Sequence, residues 1–333
     1  MEHSEEAGDV LLSVEGLVTS FHTEQGKISP VQGVSFQVNR GRTLAIVGES
    51  GSGKSVTSLS IMGLIPKSNG VIEAGKIVLD GDDLLQLKPR QLRRLRGNRM
   101  AMIFQEPMTA LNPVYTVGQQ IGEVFRLHRG MRRAEAFEAS VGMLEKVKIP
   151  DPVDQMSNYP HQLSGGMRQR VMIAMALACN PTLLIADEPT TALDVSIQAQ
   201  VLRLMRGLQQ ELGTAILFIT HDLGVVAEMA DDVAVMYAGQ LVEKATVFQI
   251  YDDPQHPYTK GLMGSLPRLT DTRDNPLQTI EGLVPSLWEL PDGCRFADRC
   301  PDVEPACRET TQRLVQLADG RHVACSKITG GAP

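Results

Sequence analysis

Gly33-Val34-Ser35-Phe36-Gln37-Val38 alternates apolar and polar positions at the two-residue period of a strand with one buried face. Val10-Leu11-Leu12-Ser13-Val14 follows the same period less cleanly. Together they predict β-structure across residues 9–47, with Asn39-Arg40-Gly41 as a turn into the short apolar run 43–47. Residues 76–81 predict a strand and turn, and 100–104 a buried strand ending at Gln105. Residues 182–186 and 214–219 are apolar without alternation, as central strands of a parallel sheet covered on both faces are. Residues 233–236 and 240–243 predict a final hairpin.

Helical period appears between these strands. Residues 56–64 and 196–212 read as helices, and the basic stretch 88–99 as a helix with a solvated face. From 117 to 147 the apolar residues include Ile121, Val124 and Phe125, then Phe137, Val141 and Leu144, the second set lying on one helix face. The pattern is an α/β chain carrying a helical insertion. From about Thr246 the composition shifts to Pro, Asp and Arg, which marks an appended C-terminal region with residues 267–277 as its most linker-like part.

Composition narrows the picture. At 333 residues, 42% hydrophobic and 21% charged, the chain suits a soluble globular protein of more than one domain. The net charge of −7 argues against general nucleic-acid binding. The apolar run 171–179 is too short to span a bilayer, and residues 1–8 resemble no signal or transit peptide.

The chemistry is concentrated in a few stretches. Gly48-Glu49-Ser50-Gly51-Ser52-Gly53-Lys54-Ser55 fits the phosphate-binding glycine loop between a strand and a helix. Its glycines let backbone N–H groups turn toward a polyphosphate, Lys54 can reach the β- and γ-phosphates, and the Ser55 hydroxyl can ligate Mg²⁺. A purine nucleotide such as ATP or GTP is the expected ligand. Leu183-Leu184-Ile185-Ala186-Asp187-Glu188 places a carboxylate at the end of a buried strand, able to hold Mg²⁺ through water, and a second one to polarise water. Phe21 is either a packed strand residue or an aromatic platform for adenine.

Leu163-Ser164-Gly165-Gly166-Met167-Arg168-Gln169-Arg170 resembles the signature of the ATP-binding cassette (ABC) ATPases, with Met167 where that family usually has Gln. Ser164 is placed to cap the following helix. Gln105 matches the family's Q-loop, Ala192-Leu193-Asp194 its D-loop, and His221, which lies 33 residues after Glu188, its switch histidine. Tyr159-Pro160-His161-Gln162, Met236-Tyr237-Ala238-Gly239 and Pro254-Gln255-His256-Pro257-Tyr258-Thr259 resemble the oligopeptide/dipeptide/nickel importer branch, as does the loop 106–113.

The resemblance implies an α/β fold: a P-loop, RecA-like ABC ATPase core with an antiparallel β subdomain, a helical insertion subdomain and a Cys-rich C-terminal extension. It implies a nucleotide-binding domain over 9–245, with the helical part at about 106–180, and an importer-type extension over 246–333. The implied ATP site is Phe21, Ser50, Gly51, Ser52, Gly53, Lys54, Ser55, Val56, Gln105, Asp187 and His221. Glu188, His221, Gln105 and Lys54 are the implied catalytic groups, and Ser55, Gln105 and Asp187 the Mg²⁺ set. Ser164, Gly165, Gly166 and Met167 would face the ATP of a second subunit, across an interface that Asp194 joins.

The implied activity is ATP hydrolysis that energises import of di- or oligopeptides, with nickel or another solute as the alternative cargo. The implied partners are a second, related ATPase, two transmembrane permease subunits and an extracytoplasmic binding protein, at the cytoplasmic face of a bacterial inner membrane. A soluble ATPase acting on nucleic acid or ribosomes is the rival class. It usually carries two cassettes or a coiled-coil insertion, and this chain has neither.

Four of the five cysteines, Cys294, Cys300, Cys307 and Cys325, crowd the tail. In a cytosolic chain such a cluster points to metal. Similar cysteine-rich tails occur in this branch, some of them holding a [4Fe–4S] cluster, and four thiolates satisfy one. Zinc is the alternative, although its paired close spacing is absent. Cys179 reads as a small buried hydrophobe.

Overall fold

The computed structural model describes residues 9–105, 110–191, 193–266 and 279–330. The linker-like stretch 267–277, the segment 1–8, Ala192 and residues 106–109 of the loop 106–113 lie outside the described residues. The chain forms two compact units, each drawn from separated segments.

One unit contains the described residues of Met1–Leu12, Val38–Thr43 and Val78–Phe218. Its strands Met100–Ile103 and Leu183–Asp187 run parallel, paired from Met100 with Leu183 to Ile103 with Ala186. All five residues of Leu183–Asp187 are buried, which is why this strand is apolar along its whole length. The helical insertion is built from Val117–Arg129, Arg133–Lys146 and Gly165–Leu177. The first break falls at Gly130, which closes its helix in the left-handed conformation that favours glycine. Cys179 is 1% exposed and its thiol pKa is raised by burial, as a packed hydrophobe's would be.

The other unit contains Ser13–Gln37, Leu44–Ile77 and the described residues from Ile219 onward. The long strands Val10–Thr23 and Gly26–Asn39 form a hairpin, most of which lies in this unit. Thr43–Val47 pairs in parallel with Asp232–Tyr237, which turns back through Ala238-Gly239 into the antiparallel strand Gln240–Thr246. The tail continues this sheet. His322–Val323 pairs with Gln240–Thr246, and Val315–Gln316 pairs with His322–Val323.

The core here joins Val47, Val235, Tyr237, Val242, Tyr258 and Phe296. Tyr237, Tyr258 and Phe296 pack as a trio with ring centroids 4.6, 5.3 and 5.4 Å apart. The fully buried Glu243 carboxylate is satisfied by the backbone N–H groups of Gln255 and His256, both at 2.8 Å. That contact fastens the start of the 254–259 stretch to the sheet. Among the described residues no helix is long and apolar enough to cross a membrane.

Candidate functional site

The glycine loop connects the buried strand Thr43–Val47 to the helix Lys54–Met62. Two of its glycines are required by close approach. A Cβ on Gly48 would lie 2.1 Å from the Met236 carbonyl oxygen, and one on Gly53 would lie 2.2 Å from that of Pro30. Gly53 caps the helix without a side-chain hydrogen bond, and the N–H groups of a helix N-terminus suit an anion. Lys54 is 5% exposed, and its Nζ donates to the carbonyls of Gly48 (2.7 Å) and Glu49 (2.9 Å). Ser52 is buried, Ser55 and Val56 are half-buried, and Ser50 and Gly51 border the loop's open side.

In the same unit, Phe21 is half-buried, and its ring edge would lie 2.9 Å from a Cβ on Gly70. His221 is exposed, directly after the buried strand Ala215–Thr220. The next residue, Asp222, starts the helix Leu223–Met229 by accepting from Gly224 N–H at 2.9 Å.

The unit with the helical insertion brings three other candidates together. Asp187 closes its strand and is 5% exposed. Glu188 follows at φ 47°, the left-handed region that costs a non-glycine residue about 1 kcal/mol or more. Its Oε2 accepts from Gln105 Nε2 at 2.9 Å and from Thr191 Oγ1 at 3.0 Å. Ser164 caps Gly165–Leu177, accepting from Met167 N–H at 3.3 Å. A Cβ on Gly166 would lie 2.9 Å from the Ile197 side chain, so that glycine permits close packing. Asp194 is the N-cap of Val195–Leu212. It accepts from Ile197 N–H (3.0 Å) and Ser196 N–H (3.1 Å), and these bonds, Ile197's first, lower its carboxyl pKa.

The expectation of a [4Fe–4S] or zinc centre is corrected. Cys294, Cys300, Cys307 and Cys325 line one cavity, but its volume is about 20 Å³, room for roughly a single water. Among the described residues no three Cys, His, Asp or Glu side chains are grouped to hold a metal ion. Burial pushes the Cys294 thiol up to about 11 and raises that of Cys300. The cysteines are instead part of the tail's packing, and Cys294 and Cys300 pack against the core of their unit.

Sequence reasoning missed two residues that touch the glycine loop. Tyr258 accepts the Glu49 N–H at 3.0 Å, and Arg299 pairs with the Glu49 carboxylate at 3.1 Å. Tyr258 lies in a stretch that stood out in the sequence, but nothing in the sequence distinguishes Arg299 from other arginines.

The family profile described as ABC transporter matches residues 31–191, and the profile for the oligopeptide/dipeptide transporter C-terminal region matches 242–307. The probable peptide ABC transporter ATP-binding protein y4tR of Sinorhizobium fredii is 53% identical, over 95% of each chain. The oligopeptide transport ATP-binding protein AppD of Bacillus subtilis is 53% identical over 95% of this chain and 96% of its own. Among solved structures, a dimeric ATP-binding cassette in a post-hydrolysis state, bound to ADP and Pi, matches with a TM-score of 0.64 at 25% identity. That match covers 71% of this chain and 99% of the other.

Proposed function

The chain belongs to the ATP-binding subunits of ABC transporters of the oligopeptide/dipeptide import type, and from that premise we infer how its residues divide the work. It is an ATPase that energises peptide import, using ATP and Mg²⁺ together with membrane permease subunits and a substrate-binding protein. In our reading, residues 9–245 form the nucleotide-binding domain, with the helical part at about 106–180, and residues 246–333 form the extension. A second, related ATPase completes the pair, and the assembly sits peripherally at the cytoplasmic face of the inner membrane.

Ser50, Gly51, Ser52, Gly53, Lys54, Ser55 and Val56 hold the phosphates, and Phe21 lies at the adenine. Ser55, Gln105 and, through water, Asp187 would hold Mg²⁺, which would supply positive charge at the phosphates. A water oxygen bonds to the γ-phosphorus as the bond to the β–γ bridging oxygen breaks. ADP and phosphate leave, and the water's proton passes to Glu188. Lys54 and His221 share the developing charge with the signature serine of the second subunit, while Ser164 to Met167 serve that subunit's ATP.

The observation that carries this reading is the fixation of Glu188. Its strained backbone directly follows Asp187, and its carboxylate is held by Gln105 and Thr191. Strain of this kind persists where surrounding contacts enforce it, and it clusters at reacting sites. Glu188→Gln is expected to keep ATP binding and lower turnover by about 100-fold or more, within the range general-base catalysis contributes. ATPase assays of the assembled transporter check this, and unchanged turnover removes Glu188 from the role.

A further inference from the structure

We propose that the C-terminal extension positions the ATP-binding glycine loop by holding Glu49, with Arg299 and Tyr258 as the positioning residues. The proposal rests on the reading of Gly48–Ser55 as the ATP loop. Glu49 is held through all its polar groups. Its N–H donates to Tyr258 Oη at 3.0 Å, its carbonyl accepts from Lys54 Nζ at 2.9 Å, and its carboxylate accepts from Arg299 at 3.2 and 3.1 Å. Lys54 and the tail thus meet at one residue of the loop.

The Arg299 grip differs from an exposed ion pair. Its side chain is 6% exposed and that of Glu49 is 29% exposed. Its guanidinium also donates to the carbonyls of Glu281 (2.9 Å) and Ile280 (3.3 Å) and lies over the Tyr237 ring, 5.8 Å from the centroid. Tyr237 and Tyr258 are fully buried against each other, with Phe296 packed on both. Tyr258 is therefore a fixed acceptor, and burial raises its phenol pKa and keeps it protonated.

The physical need is one of charge. A carboxylate inside a loop that must bind a polyanion has the wrong sign. Paired with Arg299, it is drawn to the tail's side and neutralised. Without Arg299, the charge is left uncompensated beside the incoming phosphates, and the Glu49 main chain that orients Lys54 loses an anchor.

The test uses the full chain and a fluorescent trinitrophenyl-ATP analogue. Arg299→Met is expected to weaken analogue binding about tenfold, because the half-buried Glu49 carboxylate has lost its partner beside the phosphates. In the assembled transporter the ATP KM should rise correspondingly while kcat stays within about twofold, since binding and not the chemical step is affected. Adding Glu49→Gln to Arg299→Met removes the stranded charge and should return affinity to within about threefold of the unaltered chain.

A double variant as weak as Arg299→Met would overturn the proposal, as it would mean that Arg299 acts through folding alone. Tyr258→Phe keeps the aromatic packing and provides a second route if Arg299→Met does not fold. It should weaken the analogue roughly fivefold, the size of one lost hydrogen bond. Unchanged binding in that variant also overturns the proposal. An unaltered chain that does not bind the analogue at all would instead defeat the underlying reading of the loop.

Discussion

His256 is a single residue whose burial sets a pH dependence. It is 2% exposed, and its Nδ1 accepts the Tyr258 N–H at 3.1 Å. Burial lowers its pKa from 6.5 to about 3, so the folded unit holds a neutral ring. Below pH 6.5 the unfolded chain takes up a proton that the folded chain refuses. The contribution to stability is complete above pH 6.5 and is lost as pH falls toward about 3. The loss is about 1.4 kcal/mol per pH unit for one proton. Thermal melts at about pH 7.5 and 5 should therefore show a larger fall in Tm for the natural chain than for His256→Gln; equal falls would remove His256 as the cause. At this scale the sequence was readable where chemistry depends on neighbours in the chain, as at Gly48–Ser55. It was silent on the left-handed backbone of Glu188 and on the neutrality of His256, because both come from surroundings that lie far away in the sequence.

Among the elements, the caps decide where helices begin. The helix Val117–Arg129 starts with a reciprocal cap: Gln119 N–H donates to Thr116 Oγ1 at 3.3 Å, and Thr116 N–H donates to Gln119 Oε1 at 2.9 Å. Thr116→Ala is expected to cost about 1 kcal/mol, read as a lower urea midpoint with an unchanged slope. A midpoint that does not move would show that the cap contributes nothing here. The apolar period made the 117–147 stretch recognisable as helix, but Gly130 divides it, as its positive φ stops the first helix. Asp194 shows how one residue can satisfy two readings. The sequence order marks it as the D-loop aspartate, and the structure gives it the work of a helix cap. The strand 182–186 was legible for a simpler reason, since burial on both faces requires apolar residues throughout, and the observed strand is Leu183–Asp187.

At the scale of the whole molecule, the tail belongs to the compact unit that carries the glycine loop. Its packing centre is Phe296, 2% exposed, against Tyr237, Tyr258 and His256. Phe296→Ala should destabilise the unit by about 3–5 kcal/mol, the usual cost of removing a buried aromatic ring. A calorimetric transition that keeps its midpoint would contradict that assignment. The sequence by itself determined the loop, the two carboxylates, the signature and the α/β order, because phosphate-binding turns and strand or helix periods are written in consecutive residues. It could not determine the state of the tail cysteines. Their number and order suggest a cluster, but among the described residues no three Cys, His, Asp or Glu side chains are grouped to hold a metal ion. Only the tertiary structure decided that Arg299 meets Glu49 across 250 residues of chain. No local pattern encodes that pairing, which arises only when packing around the aromatic trio brings the two ends together.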